Sequence, residues 1–390
     1  MIRRGRKLLL IMVASWPLAC LADEAVIDLL IPPGYSPEVA ADEKGLWMEF
    51  EEMERSLNKS ALLIRDPELV NYVNGIVCRV AGEYCNDFRV YLVRNPGFNA
   101  SMTATGMMQI WTGLIVRATS TDEIAAVIGH EIAHYTRLHS LERFRALKQK
   151  MATASFFDIG FAVLTGVSLP VGQATAVLTL LSFNREQETE ADLLGTRMLA
   201  EAGYDPHAAY NVWYKILMEE EAAAVKGRKP GMFSQTHPNS ADRASYLKDF
   251  VETYFGPPAA NTETDPELLR VLNNNYYLLM EDQIDTNRFG RTEEILRRHG
   301  AMGVAPGVLH FFHGEMYRQR GAPGDIDLAI VAYTLATEQE VVPPEAWKNL
   351  GYLFLKQKNI PAAQASFRRY LDAAPDASDR AMIEFYLEEQ

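Results

Sequence analysis

His130 and His134 stand four residues apart in a stretch of helical periodicity, and that spacing restricts the fold more than any other feature of the 390-residue chain. Residues four apart share a face of an α-helix, so two imidazole nitrogens can reach one point. The neighbouring residues predict a helix over Ser120 to Lys150. Ser120, three residues before Glu123, fits a capping box, and Ile124, Val127 and Ile128 follow at helical spacing. Zinc accepts such a pair of imidazoles, and Glu131, adjacent but not a ligand, is placed to take a proton from a metal-bound water. The string His-Glu-x-x-His fixes only three positions in five, so histidines that merely cap or pack remain the plainer alternative until a third ligand is found.

A hydrolytic zinc site takes three protein ligands and leaves one position for water. One common arrangement places a third histidine six residues after the second, with glycine midway; here those positions hold Ser140 and Arg137. His139 lies five residues after His134, about 500° around a continuous helix, which turns it away from the metal face. It is expected to be structural or to support a ligand. A better candidate lies in Asn184 to Asp192, where Glu188 and Asp192 share a face of a second helix. Glu188 can complete a two-histidine, one-glutamate site, and Asp192 can accept the second ring N–H of a ligating histidine. Charged runs on helices more often form solvated faces, and composition does not choose among Glu186, Glu188 and Glu190.

The order of these two segments carries a family resemblance. Asn184-Arg185-x-x-Glu188-x-x-Ala191-Asp192, downstream of His130-Glu131-x-x-His134, resembles the gluzincin metallopeptidases that include HtpX, the CAAX prenyl endopeptidases and, most closely, the periplasmic BepA-type proteases with tetratricopeptide repeats. It spans about Asp66 to Tyr246 and takes in Asn99-Ala100, Gly106 through Gly113, and Thr236-His237-Pro238. Asn184 stands where that family usually has serine. The resemblance implies one Zn2+ per chain, held by His130, His134 and Glu188, with Asp192 supporting the site. Glu131 is then the general base. Arg185 and His237 are candidates to assist an oxyanion, Arg185 alternatively to support the ligands, and His237 alternatively to fill the open metal position. In such a site Met107 to Trp111 borders the cleft, where a substrate backbone can pair as an added strand.

The chain opens with Arg3, Arg4, Arg6 and Lys7, then a short apolar run, then small residues near Cys20-Leu21-Ala22. This reads as a secretory signal peptide over 1–22, too short for a membrane span, which needs about 20 apolar residues. Pro17 disfavours lipid anchoring at Cys20, so a soluble periplasmic protein is expected. Loss of those four cations leaves 34 basic against 51 acidic residues, a net charge near −17. Such a chain is a poor partner for nucleic acid, whose binding rests on neutralising phosphate with Lys and Arg. Cys78 and Cys85, a close pair in an oxidising compartment, are candidates for a disulfide.

Asp42 to Leu57 and Asp66 to Val80 predict helices, with Asp42 and Asp66 as N-caps and Pro67 at the first turn of the second. Phe88 to Val93 and Met107 to Trp111 predict strands. Phe156 to Phe183 is the most apolar internal stretch; Pro170 and Gly172 divide it, which favours packing on the catalytic helix over membrane contact. A catalytic domain is expected over 23–256, a linker over 257–268 and an all-α repeat domain over 269–390. Trp347, Leu350, Gly351, Phe354, Ala363, Phe367 and Pro375 fit the 34-residue tetratricopeptide pattern, and Gly314, Tyr317, Ala329 and Tyr333 fit an earlier unit. The fold class is therefore α+β and mostly helical: a zincin-type domain with a small sheet, then tetratricopeptide-like helices. The function expected is an exported zinc endopeptidase of envelope proteins, its repeats meeting protein clients such as the outer-membrane assembly machinery. The alternative is a chaperone or scaffold with structural zinc.

Overall fold

A computed structural model describes residues 31–35, 41–153, 183–222, 237, 241–258 and 265–388. The expected signal peptide and nearly all of the apolar stretch from Phe156 lie outside the described residues. Helix α1 (Ala41–Asn58) starts one residue before Asp42, its expected cap. Helix α2 (Pro67–Ala81) starts as its sequence dictates: Asp66 accepts from the Leu69 N–H, and proline occupies the first turn where no donor is needed. Cys78, near the end of α2, is bonded to Cys85 in the 3-10 turn that follows, with Cα atoms 4.5 Å apart.

Three short strands follow: β1 (Arg89–Val93), β2 (Ala100–Met102) and β3 (Met107–Trp111). The order in the sheet is β1-β3-β2, with β1 parallel and β2 antiparallel to β3. This corrects one expectation. Met107 to Trp111 is the central strand, hydrogen-bonded on both sides, so an incoming backbone cannot pair with it; β1 and β2 hold the edges.

After a short helix α3 (Thr112–Ile115), α4 (Thr121–Thr136) carries both histidines and Glu131. Ser120 caps it through the Glu123 N–H, while the Glu123 carboxylate reaches back to the Thr119 N–H. The single helix expected from Ser120 to Lys150 is two. The chain leaves α4 at Thr136, Leu138 takes φ 54°, and α5 (His139–Thr153) starts in a new direction. No glycine or proline marks that break.

Helix α6 (Arg185–Glu201) starts with a full capping box between Asn184 and Gln187. It crosses α4 where two glycines meet: a Cβ built on Gly195 would lie 2.7 Å from the Gly129 carbonyl carbon, and one on Gly129 would lie 2.8 Å from Gly195 O. Larger residues would hold the helices apart, so this contact sets how closely their side chains approach. Helices α7 (Ala208–Ala222) and α8 (Ala241–Phe255) complete this part.

The remaining elements are antiparallel helices: α9 (Pro266–Asp285), α10 (Phe289–Met302), α11 (Pro306–Arg320), α12 (Asp325–Thr337), α13 (Glu345–Lys356), α14 (Ile360–Ala373) and α15 (Arg380–Glu388). Gly314 of α11 packs flat against Tyr333 of α12, where an added Cβ would be 2.5 Å from the ring. Gly351 of α13 meets Phe367 of α14 in the same way, at 2.6 Å. The two aromatics are 34 residues apart, as a repeat requires, and the extra residues of the earlier unit fall in the turn at Gly321 to Gly324.

The two halves share one hydrophobic core. Tyr72, Val73 and Ile76 of α2 belong to the same cluster as Leu268, Leu272 and Tyr276 of α9. Polar contacts span the same junction. Asp265, within the expected linker, caps α9 through the Glu267 and Leu268 N–H groups and also accepts from the Thr121 N–H at the start of α4. Buried Glu219 of α7 pairs with Arg117 at 2.8 Å and with Arg298 of α10. Among the described residues no helix is long and apolar enough to cross a membrane.

Candidate metal centre

The crossing of α4 and α6 brings the expected ligands together. His130 Nε2 and His134 Nε2 are 3.0 Å apart, and Glu188 Oε1 is 3.4 Å from His134 Nε2. A fourth side chain joins them: His237 Nδ1 lies 3.2 Å from His130 Nε2 and 2.9 Å from Glu188 Oε1. These four donors lie within 4.8 Å of one another, and all four residues are buried. Zinc bonds of about 2.0–2.2 Å to nitrogen and oxygen in a tetrahedron separate donors by about 3.3 Å, so the spacing fits such an ion. The chemistry of the set fits too. The Arg243 guanidinium meets buried Glu188 Oε2, which leaves Oε1 as the oxygen turned toward His134 and His237, an acceptor among imidazole nitrogens that a cation can share. Two histidines and a glutamate, with or without a third imidazole, suit zinc well.

Burial alone would raise Glu188, but His237, His134 and His130 hold its carboxyl well below the usual range. Burial, with His130 alongside, drives His134 well below the ordinary imidazole value, which favours the neutral ring that a metal requires. Glu131 is buried beside this group, its Oε1 3.4 Å from His237 Nε2 and without a hydrogen-bond partner.

Asp192, four residues after Glu188, places Oδ1 2.9 Å from His130 Nδ1. That contact keeps the proton of His130 on Nδ1 and leaves Nε2 free to ligate. Burial acts to raise Asp192, but Arg243 and His130 keep it below the ordinary value. The choice among Glu186, Glu188 and Glu190 is resolved by position. Glu188 points into the cluster, Glu190 meets Arg137 at 2.9 Å and His139 at 3.2 Å, and Glu186 is exposed.

Arg185 does not take the expected place. At the first position of α6, a turn before Glu188, its side chain is exposed. The guanidinium at the site belongs to Arg243 of α8, whose Nη1 is 2.9 Å from Glu188 Oε2 and whose Nε is 2.6 Å from Asp192 Oδ2. Arg243 lies over the Trp213 ring at 3.8 Å, and Tyr246 donates to Asp192. Sequence reasoning missed Arg243, although it lies inside the stretch of family resemblance. Its one signal is the six-residue distance from His237.

Comparison with known proteins agrees with this geometry. Residues 64–251 match the model of peptidase family M48. The chain is 30% identical over 220 residues to the beta-barrel assembly-enhancing protease of Yersinia pestis, covering 54% of this chain and 44% of that one. It is 30% identical over 215 residues to the protein of that name in Escherichia coli (strain K12), covering 50% and 43%. It is 29% identical over 187 residues to the mitochondrial metalloendopeptidase OMA1 of Schizosaccharomyces pombe, covering 46% and 52%. The matched region spans about half the length of these relatives. Both candidate ligand segments, the small sheet and α8 as far as Val251 fall within residues 64–251, which make up just under half of the chain and are similar to peptidase family M48.

Proposed function

We propose that this chain is an exported zinc-dependent endopeptidase that cleaves envelope proteins, acting in the assembly or quality control of outer-membrane proteins. One observation carries the proposal: four buried donors meet at one point with the carboxylate of Glu131 beside them. When bound, zinc supplies a Lewis acid that polarises a scissile carbonyl and makes water acidic. His130, His134 and Glu188 would hold the ion, with Asp192 orienting His130 and Arg243 meeting Glu188. Glu131 takes the proton from water and returns it to the leaving amine. β2, at one edge of the sheet, is a strand on which a substrate backbone can be laid. Replacing Glu131 by Gln should leave zinc content and melting temperature near native and abolish cleavage of an unfolded protein substrate. Unchanged cleavage would refute the assignment.

The relatives named for β-barrel assembly support the envelope role, and the basic and apolar start of the chain supports the periplasm. The disulfide suits that compartment. The helical hairpins α11 to α14 offer the stacked surface on which protein clients are recruited.

The ring of His237 favours a second state of the same protein. Four protein ligands make a closed shell, the form of structural rather than catalytic zinc. A chain held in that state is latent, or works as a scaffold. His237→Ala should raise cleavage several-fold if the ring blocks the open position; a fall would assign it to the reaction instead.

A further inference from the structure

Glu188 and Asp192 are one helical turn apart and face the donors, whereas Glu190 is about 200° around α6 from each and its side chain is 38% exposed. Glu190 is nevertheless the end of a contact chain that begins at a ligand. His134 turns Nε2 toward His130 and Glu188, which places Nδ1 on the far side of the ring. That Nδ1 is 2.8 Å from His139 Nδ1, and His139 Nε2 is 3.2 Å from Glu190 Oε2. His139 and His134 are both 1% exposed.

Protonation follows from this order of atoms. An imidazole that offers the Nε2 lone pair to a cation carries its proton on Nδ1. The Nδ1–H of His134 then donates to His139 Nδ1, which must be the bare nitrogen of that ring. The proton of His139 is therefore on Nε2, where Glu190 accepts it. One ligation event fixes both tautomers, and the charge at the end of the chain favours that assignment.

The backbone is bent to make this contact. Leu138 adopts φ 54°, a region that costs a non-glycine residue about 1 kcal/mol or more. On a continuous helix His139 would face away from His134. The left-handed turn brings it back beneath the ring.

We propose that His139 is a positioning residue for metal binding. It accepts from His134 Nδ1 and donates to Glu190, and so holds the His134 ring in its ligating tautomer, as Asp192 does directly for His130. Helix α6 thus backs both histidines, one through a direct carboxylate and one through a relay that reaches a carboxylate on its other face. This rests on the reading of His130, His134 and Glu188 as a zinc site.

The test is zinc affinity of the full-length apoprotein, measured by competition with a chromophoric chelator, alongside melting curves without metal. His139→Leu should weaken zinc binding by about 10–100-fold while the metal-free protein melts as native. His139→Asn, whose carboxamide oxygen replaces Nδ1 as acceptor, should stay within about threefold. Native affinity in the leucine variant overturns the proposal. So does an equal loss in both variants, which would mark a packing role. If His139→Leu does not fold, Glu190→Ala at its partly exposed position decides, and undiminished affinity there overturns the relay. Failure of the native chain to bind zinc would sink the underlying site, an outcome visible without any substitution.

Discussion

Asp192 serves two partners with two oxygens. Oδ1 meets His130 Nδ1 at 2.9 Å and Oδ2 meets Arg243 Nε at 2.6 Å, all within the buried interior. Asp192→Asn keeps the volume but removes the charge opposite a buried guanidinium. It should cost about 3–5 kcal/mol in chemical denaturation and weaken zinc by about 10–100-fold in a chelator competition. A native unfolding midpoint would show that Arg243 is satisfied elsewhere. His130, Glu131, His134, Glu188 and Asp192 were all legible in the sequence because each pair sits at helical spacing within one element. Arg243 was not, because it comes 51 residues after Asp192 and reaches it only through the packing of α8. Arg185, on nearly the same face of α6 as Glu188 and Asp192, is exposed at the end of the helix, and sequence spacing alone does not say how far along a helix the covering elements reach. His139 lies outside the group of four donors, but the helical wheel that turned it away assumed a continuous helix, and α4 ends before it.

At the scale of elements, the site depends on how closely α4 and α6 cross. Gly195→Ala would put a methyl 2.7 Å from the Gly129 carbonyl carbon, against backbone that cannot rotate away. The expected cost is about 1–3 kcal/mol in thermal or chemical unfolding, with weaker zinc binding because Glu188 is carried away from the histidines. Unchanged stability and affinity would mean that the crossing has slack. Helix starts were legible at Asp66 and Ser120, where a short polar side chain reaches the third backbone N–H. The break at Leu138 was not, since a left-handed leucine leaves no mark in the sequence. The central place of β3 was hidden as well, because the three residues of β2 are too few to announce a strand.

For the whole molecule, acid is the sharpest probe of how the halves are joined. His299 of α10 accepts from the Tyr276 hydroxyl at Nδ1 and donates from Nε2 to the Val116 carbonyl, both at 2.8 Å. Burial, and less so Arg298 and Arg117, pushes it down to about 4 from 6.5. Because the folded value is depressed, the unfolded chain binds the extra proton between those limits. Stability is therefore complete above pH 6.5 and falls as pH drops toward 4, by about 3 kcal/mol from this group. His299→Gln should flatten that part of the stability profile in denaturant titrations at stepped pH; an unaltered slope would place the titrating group elsewhere. The packing of α11 on α12 and of α13 on α14 follows from Gly314 with Tyr333 and Gly351 with Phe367, whose sizes demand one another. The seating of these helices on the peptidase was not legible, since it depends on single polar residues such as Glu219 and Arg117 that look like ordinary surface charges.

Asp265 has a practical corollary for anyone who would borrow the peptidase alone. A stop codon placed in the apparent linker removes the carboxylate that finishes the first turn of the zinc-bearing helix, together with the leucines that cover α2. The severed fragment would expose a greasy flank and a frayed helix end just upstream of its metal ligands. A shortened chain that is to keep the four donors in place therefore has to carry α9, and with it the Asp265 cap and the leucines on α2.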